Sequence, residues 1–398
     1  MKMNNQSYLI IKNGTVITPD REIRDGAVII RGNRIVEVGK HGEVEEPANA
    51  AIIDAGNGYI SPGLIDIQVN GASGADVTKA GPDTFSIMGR FFAKYGVTSY
   101  VGTAITSSDG DFLNALDYAR RHIKKNPVDG AELLGIHMEG PYISPEQRGA
   151  HPREYLALPK AAHYMQFLEH SDVLKKMTIA PELEGAVQLV KDLRERGIVV
   201  SAGHTNGIFS EIKDAIDAGI SHATHFFCNM SHFRRDNLKR VAGVVETLLY
   251  DDRVTAGLIG DGWHVGPQLM KLLIKVKGVN KVCFVTDAMP AVGLPDGIHK
   301  IGEVEAVVEN GIARLRDNTA YAGSVTTMDV CLKNGINQAG LSQAEAIRMS
   351  SLTPAEIMGV NSRKGSLEKG KDADVVIFGK DLEVKKTIGM GTVIYERE

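Results

Sequence analysis

The feature that most restricts the fold is an alternation running from about residue 63 to residue 287. Apolar, strand-like segments recur at 63–69, 98–103, 133–139, 177–180, 198–203, 222–226, 254–259 and 282–287. Helical patterns such as 84–95, 110–123, 183–196, 208–218 and 267–278 fall between them. Nearly continuous apolar strands separated by helices are parallel strands, because a parallel connection must cross over the sheet. Repeated eight times, the α/β unit favours a closed (β/α)8 TIM-like barrel over an open doubly wound sheet.

The two ends of the chain read differently. Residues 7–60 are short period-two strands punctuated by Asn-Gly, Asp-Gly and Gly-Asn, the pattern of antiparallel sheet. Segments 372–378 and 387–395 supply matching strands at the far end. The expectation is a barrel at 61–360 and one small β-sandwich domain built from 1–60 and 361–398. After the eighth strand, 302–315 reads as an inserted strand pair of unknown purpose, ahead of helical stretches at 327–337, 342–350 and 354–358.

With 398 residues, 43% of them hydrophobic, the chain can bury a large core. Its formal charge of -4 offers no global field for nucleic acid or an anionic membrane, so neither is expected as a partner. Cys228, Cys283 and Cys331 are odd in number and dispersed, which fits a reducing compartment. The opening MKMNNQSYLIIKNG turns polar too soon for a signal peptide, and no apolar run is long enough to span a bilayer. A cytoplasmic location is therefore expected. Neither a GxGxxG turn opening a helix nor a phosphate-binding GKS loop is present.

Four apolar runs end abruptly in a polar side chain: Glu139 in LLGIHMEGPY, His204 in VVSAGHTN, His225 in ISHATHFF and Asp287 in VCFVTDAMP. A buried strand has no use for a terminal carboxylate unless something positive faces it. In a β/α barrel these ends share one rim, so residues dozens of positions apart converge. One Glu and two His make a three-ligand set for one divalent metal, with a coordination position left open for water. Zinc suits the mixed nitrogen and oxygen donors, and Fe2+, Co2+ or Mn2+ would also accept them. Asp287 is then the candidate general base and general acid, the bland reading being a carboxylate that only orients a histidine. Arg234, Arg235, Lys239 and Arg240 form a local basic cluster suited to an anion. Trp263 and His232 are candidates to shape a pocket, while Met138 and Met289 read as core filler.

Several pieces, in order and spacing, carry a family resemblance: PGLIDIQVNG (62–71), HMEGPY (137–142), GAH (149–151), SAGHTN (201–206), ATH (223–225), DGWH (261–264), VTDAMPAVG (285–293) and AGS (322–324). Over nearly its whole length the chain resembles the N-acetylglucosamine-6-phosphate deacetylases of the metal-dependent amidohydrolase superfamily. The resemblance implies a homodimer in which each subunit holds one divalent metal on Glu139, His204 and His225. Asp287 would be the catalytic acid/base, His151 would contact the substrate near its reacting end, and His264 would contact sugar or phosphate. The reaction implied is hydrolysis of an N-acetyl-hexosamine 6-phosphate, most simply the glucosamine compound, to acetate and the amino sugar phosphate. A galactosamine epimer, another N-acyl substrate, or a non-catalytic assembly role are the competing readings.

Two departures from the family pattern refine this. Many superfamily members carry His-x-His on the first strand to hold a second metal, whereas this chain has Gln68 and Asn70, neutral amides that suit substrate contact and a single metal. No suitable lysine ends the fourth strand in KMTIAPE, which weakens the readings that need a carboxylated lysine. After His225, where the family places Asn then Ala to hold phosphate, the chain has Cys228 and Asn229. The resemblance also implies that Arg234 or Arg235 reaches a neighbouring subunit's pocket.

Overall fold

A computed structural model of the chain describes residues 7–19 and 21–397. Residues 1–6, with which the polar N-terminal stretch begins, lie outside the described residues.

The centre is a TIM-like barrel of eight parallel strands: Leu64–Val69, Val97–Ile105, Glu132–Glu139, Leu174–Ile179, Val199–Ala202, His222–Ala223, Thr255–Ile259 and Val282–Val285, each paired with its neighbours in chain order. The last strand returns to the first. Asp287 N–H donates to the Gln68 carbonyl (2.9 Å) and Asn70 N–H to the Ala288 carbonyl (2.7 Å). Closure removes the open edges that a sheet of this width would otherwise present.

The helices coat the barrel because each carries one apolar stripe. Asp109–Lys125 buries Phe112, Ala115, Leu116 and Ala119, spaced to share one face. Ser108 caps it by accepting from Asp111 N–H, Asp109 and Asp111 sit at the positive end of the helix dipole, and Lys124 and Lys125 sit at the negative end. Asn126, with φ of 47°, then ends it in the left-handed region. Phe112 meets Phe167 edge-on at 5.7 Å in the layer between strands and helices.

Both chain ends join one antiparallel-rich sheet beside the barrel. Tyr59–Pro62 lies between Tyr8–Ile17 and Val375–Phe378, and the sheet extends through Glu22–Arg31 and Arg34–Lys40 on one side and through Val384–Gly389 and Thr392–Glu396 on the other. Ile11, Val28, Ile30, Ile60, Val375 and Ile388 form its own buried core.

Local backbone explains where the elements differ from expectation. The sixth barrel strand stops at Ala223 because His225 (φ 26°), Phe227 (φ 78°) and Asn229 (φ 52°) are left-handed and break the extended chain. The eighth ends at Val285 ahead of Asp287 (φ 52°). The run 387–395 is a hairpin, turned by Met390 (φ 48°) and Gly391 (φ 75°), a pair of positive φ angles typical of tight hairpins. The insertion is three antiparallel strands, Gly297–Ile301, Val304–Glu309 and Ile312–Leu315.

An ion cluster fastens the small sheet to the barrel. Lys364, 1% exposed, donates to Asp374 Oδ2 (2.5 Å) and Glu132 Oε2 (2.7 Å), and its Nζ lies 3.3 Å from Asp372 Oδ2. Glu132 begins the third barrel strand, and Asp374 accepts a backbone bond from Met390 in the terminal sheet. Removing one partner of a buried ion cluster strands the others. Lys364→Met should therefore lower stability by about 3–5 kcal/mol, read as a fall in the urea midpoint with little change in slope.

Candidate active site

Glu139, His204 and His225 leave their strand ends and converge at one point on the rim. His204 Nε2 lies 3.2 Å from Glu139 Oε1 and 3.0 Å from His225 Nε2, and His225 Nε2 lies 2.9 Å from Glu139 Oε1. All three are buried. His204 (φ 49°) and His225 (φ 26°) hold left-handed backbone conformations that are rare outside glycine and turn these side chains off the strand direction.

Hydrogen bonding separates the roles of two histidines. His204 Nδ1 lies 2.8 Å from the Gln147 carbonyl, which can only accept, so Nδ1 carries a proton and, in the neutral ring, Nε2 is the nitrogen left with a lone pair. His151 is the reverse. At His151 Nδ1 the Thr106 N–H donates (3.2 Å) and the Thr106 hydroxyl also lies 2.8 Å away, so a neutral ring that accepts the amide bond carries its proton on Nε2. His151 stands close by, its ring centre 4.4 Å from that of His204, and Glu139, His151 and His204 each offer a possible ligand atom within 4.8 Å of the others. In their neutral forms His204 thus offers a lone pair at Nε2 and His151 a hydrogen there.

Asp287 faces the cluster from the closing strand. Asn70 Nδ2 (2.9 Å) and Gln68 Nε2 (3.2 Å) both donate to its Oδ1, leaving Oδ2 outside this clamp. Burial, reinforced by the charge of Glu139, raises the pKa of Asp287, with His225, His264 and Asn70 pulling the other way. Burial would raise Glu139 as well, but His204 and His225 hold it well below the usual carboxylate range.

The site opens into a cavity of about 290 Å³ lined by Asn70, His151, Cys228, Asn229, His264 and Asp287 among others. Asn229 packs against Gly149, whose φ of 55° favours glycine and where an added Cβ would lie 2.8 Å from the Asn229 side-chain nitrogen. Half-buried Cys228 is pushed well above the ordinary thiol range by desolvation, which leaves it protonated and poorly nucleophilic. His264 is held by Asp261 Oδ2 (2.7 Å) and lies against Tyr321, with ring centres 4.4 Å apart. Ile301 and residues 319–323 form the far wall, which gives the three-stranded insertion a place in the site.

Some sequence candidates lie outside this cavity. Gln68 sits behind Asp287 and bonds to it and to Glu139 without lining the space. Arg234 and Arg235 are on an exposed two-stranded hairpin, and Trp263 is 56% exposed. Neither the two arginines nor Trp263 and His232 line the cavity. Thr106, Gln147 and Tyr321 were not singled out from the sequence. Gln147 acts through its backbone carbonyl, and Thr106 through its amide as well as its hydroxyl, so backbone groups that no side-chain pattern signals take part.

The model of the Amidohydrolase family matches residues 59–394. The chain belongs to this family. It is 34% identical over 390 residues to the N-acetylglucosamine-6-phosphate deacetylase of Bacillus subtilis (strain 168), covering 97% of each protein. Its fold is similar to the crystal structure of N-acetylglucosamine-6-phosphate deacetylase from Pasteurella multocida, with TM-score 0.91, 31% identity, and coverage of 98% of this chain and 100% of that one. It is similar also to a mutant of the Mycobacterium smegmatis enzyme in complex with N-acetyl-D-glucosamine-6-phosphate, with TM-score 0.89, 28% identity and the same coverage.

As an amidohydrolase the chain is a metal-dependent hydrolase, and its donor set fits a divalent ion. Ligand atoms around a tetrahedral ion with bonds of about 2.0–2.1 Å lie about 3.3 Å apart, close to the spacings among Glu139, His204 and His225. Without the ion, burial opposes a charged His225, but the hydrogen bond and charge of Glu139 outweigh burial and raise its pKa. A metal held by His225 would have to displace that proton. Metal affinity should therefore fall by about tenfold per pH unit below the raised His225 value and level off above it, as measured by chelator competition. Glu139→Gln should lose most of its metal on dialysis; full occupancy by elemental analysis would remove Glu139 from the ligand set.

Proposed function

We propose that this amidohydrolase cleaves the acetamide of an N-acetyl-hexosamine 6-phosphate, most simply N-acetyl-D-glucosamine 6-phosphate, to acetate and the amino sugar phosphate. The observation that carries the reading is Asp287, clamped through one oxygen and facing a carboxylate-imidazole cluster on a cavity that also receives the His151 N–H. The names of the end-to-end relatives supply the substrate class.

Glu139, His204 and His225 would hold one divalent ion, for which zinc is our choice given two nitrogen donors and one oxygen. Such an ion polarises the amide carbonyl and makes water nucleophilic near neutral pH. The chain does the rest. Asp287 Oδ2 accepts the proton of the attacking water while Asn70 and Gln68 steady Oδ1, and the same oxygen returns the proton to the departing amine. His151 Nε2–H donates to the substrate carbonyl oxygen as negative charge develops there. His264, fixed by Asp261, and Asn229, packed on Gly149, offer polar contacts to sugar and phosphate.

The basic hairpin suits a phosphate held between two copies of the chain, because Arg234 and Arg235 lie outside their own chain's cavity. Exposed Leu269, Leu272 and Val276, spaced along one face of helix Pro267–Lys277, suit the covered surface of a homodimer. No described helix is long and apolar enough to cross a membrane. Three unpaired cysteines suit a reducing cytoplasm.

Acetate release from phosphorylated and unphosphorylated N-acetyl-glucosamine, N-acetyl-galactosamine and other N-acyl amines tests the assignment; equal rates with and without phosphate would overturn its sugar-phosphate part. Asp287→Asn should keep its metal and lose about 10²–10⁴ in kcat, and metal loss at unchanged residual rate would reject the proton-transfer role.

A further inference from the structure

The inserted sheet is anchored by a core of its own. Ile301, Ala306, Val308 and Ala313 pack with Ile105, Met289 and Ala291 in a separate buried cluster. The chain returning from the insertion, 320–322, is held along its last strand. Leu315 N–H donates to the Ala320 carbonyl (2.9 Å) and Ala322 N–H to the Ala313 carbonyl (3.1 Å), with Arg314 directly opposite Tyr321. Side chains alternate along such a segment, and opposed residues share a face. Ala313 and Ala322 therefore fill the cluster, and Tyr321 is turned away from it.

Tyr321 is 42% exposed and lines the cavity. Phe209, Phe233, Tyr250 and Trp263, the other strongly exposed aromatic side chains among the described residues, do not. The Tyr321 ring lies against His264 with its plane at 44° to the imidazole. His264 does not depend on that contact for its place. Asp261 Oδ1 accepts from the His264 N–H (3.0 Å), and Asp261 Oδ2 lies 2.7 Å from His264 Nδ1. Neither the insertion's core nor the histidine thus accounts for the ring, which is fixed at its backbone and presented to the open space of the site. A tyrosine so placed offers a large contact area at little cost in conformational entropy.

The two sides of the cavity differ in kind. Asn70, His151 and Asp287 put polar groups beside the carboxylate-imidazole cluster, whereas Ile301 and Tyr321 give the far wall an apolar surface. A hexose ring matches such a division. Its rim carries hydroxyls, but its faces carry C–H bonds, whose slight positive charge is drawn to the negative face of an aromatic ring. An open-chain polyol with the same hydroxyls has no such face to lay flat.

We propose that Tyr321 is a specificity-determining residue: the face of its ring receives a C–H face of the substrate's sugar, so that the inserted sheet selects a closed hexose over an open-chain acetamide. The inference rests on reading the site as that of an N-acetyl-hexosamine 6-phosphate hydrolase.

The test compares the metal-loaded full chain as wild type, Tyr321→Phe, Tyr321→Ala and Tyr321→Gln. Acetate release from N-acetyl-D-glucosamine 6-phosphate gives KM and kcat. Two competitors, glucosamine 6-phosphate and its reduced open-chain form, glucosaminitol 6-phosphate, give inhibition constants. The wild type is expected to prefer the ring. Tyr321→Ala and Tyr321→Gln, which remove the aromatic face at different lengths, are expected to raise KM about tenfold with a much smaller change in kcat. They should weaken the ring competitor by the same factor and the open-chain one hardly at all. Tyr321→Phe keeps the face and is expected to keep the preference. Equal weakening of both competitors, a fall in kcat at unchanged KM, Tyr321→Phe behaving as Tyr321→Ala, or a wild type without preference for the ring overturns the proposal. Disappearance of the effect in a His264→Ala background also overturns it, since Tyr321 would then act through the histidine. So does loss of cooperative unfolding in both ring-less variants, which would make Tyr321 a structural residue. A wild type that releases no acetate from any N-acetyl-hexosamine 6-phosphate overturns the functional reading instead.

Discussion

The contact on which the structure most depends is the seam between the first and last barrel strands. Asp66 sits at its centre, accepting from the Thr286 hydroxyl at 2.6 Å and from backbone N–H groups on both strands. Burial raises this carboxyl to about 7, with the Thr286 and Gln68 bonds working against the rise. Just above it, the same seam sets Gln68 and Asn70 against Asp287. Closing the sheet and aiming Asp287 are thus accomplished by the same few residues.

Three histidines on this rim have different chemical characters, and in each the neighbour at Nδ1 decides. A carbonyl acceptor makes His204 present a lone pair, an amide donor makes His151 present a proton, and a carboxylate fixes His264 beside Tyr321. Backbone groups make the first two assignments, so loop geometry carries information that composition does not. Gln147 and His151 lie on one loop after the third strand, which links the orientation of His204 to that of His151.

Much of this was legible before any coordinates. Period and spacing were enough for the barrel, because eight apolar segments alternating with helices leave few other arrangements. The convergence of Glu139, His204, His225 and Asp287 followed from each ending a strand. What the sequence concealed was local. No residue type at 222–226 signals that His225 is left-handed, and the segment reads as strand until its dihedral angles are known. Gln68 reads as a substrate contact but stands behind Asp287, since the pleat decides which of two amides reaches the cavity.

His204, His225 and Asp287 all occupy left-handed backbone conformations, and each such residue costs of order 1–3 kcal/mol. Three sites of stored strain on one rim mean that the most reactive part of the molecule is also the part least content with its own geometry. Selection for stability alone would erode it first, relaxing these strand ends and dispersing the donors. Related chains that drift away from catalysis are accordingly expected to keep the barrel, its seam and its ion-clustered small sheet long after the rim has lost its aim.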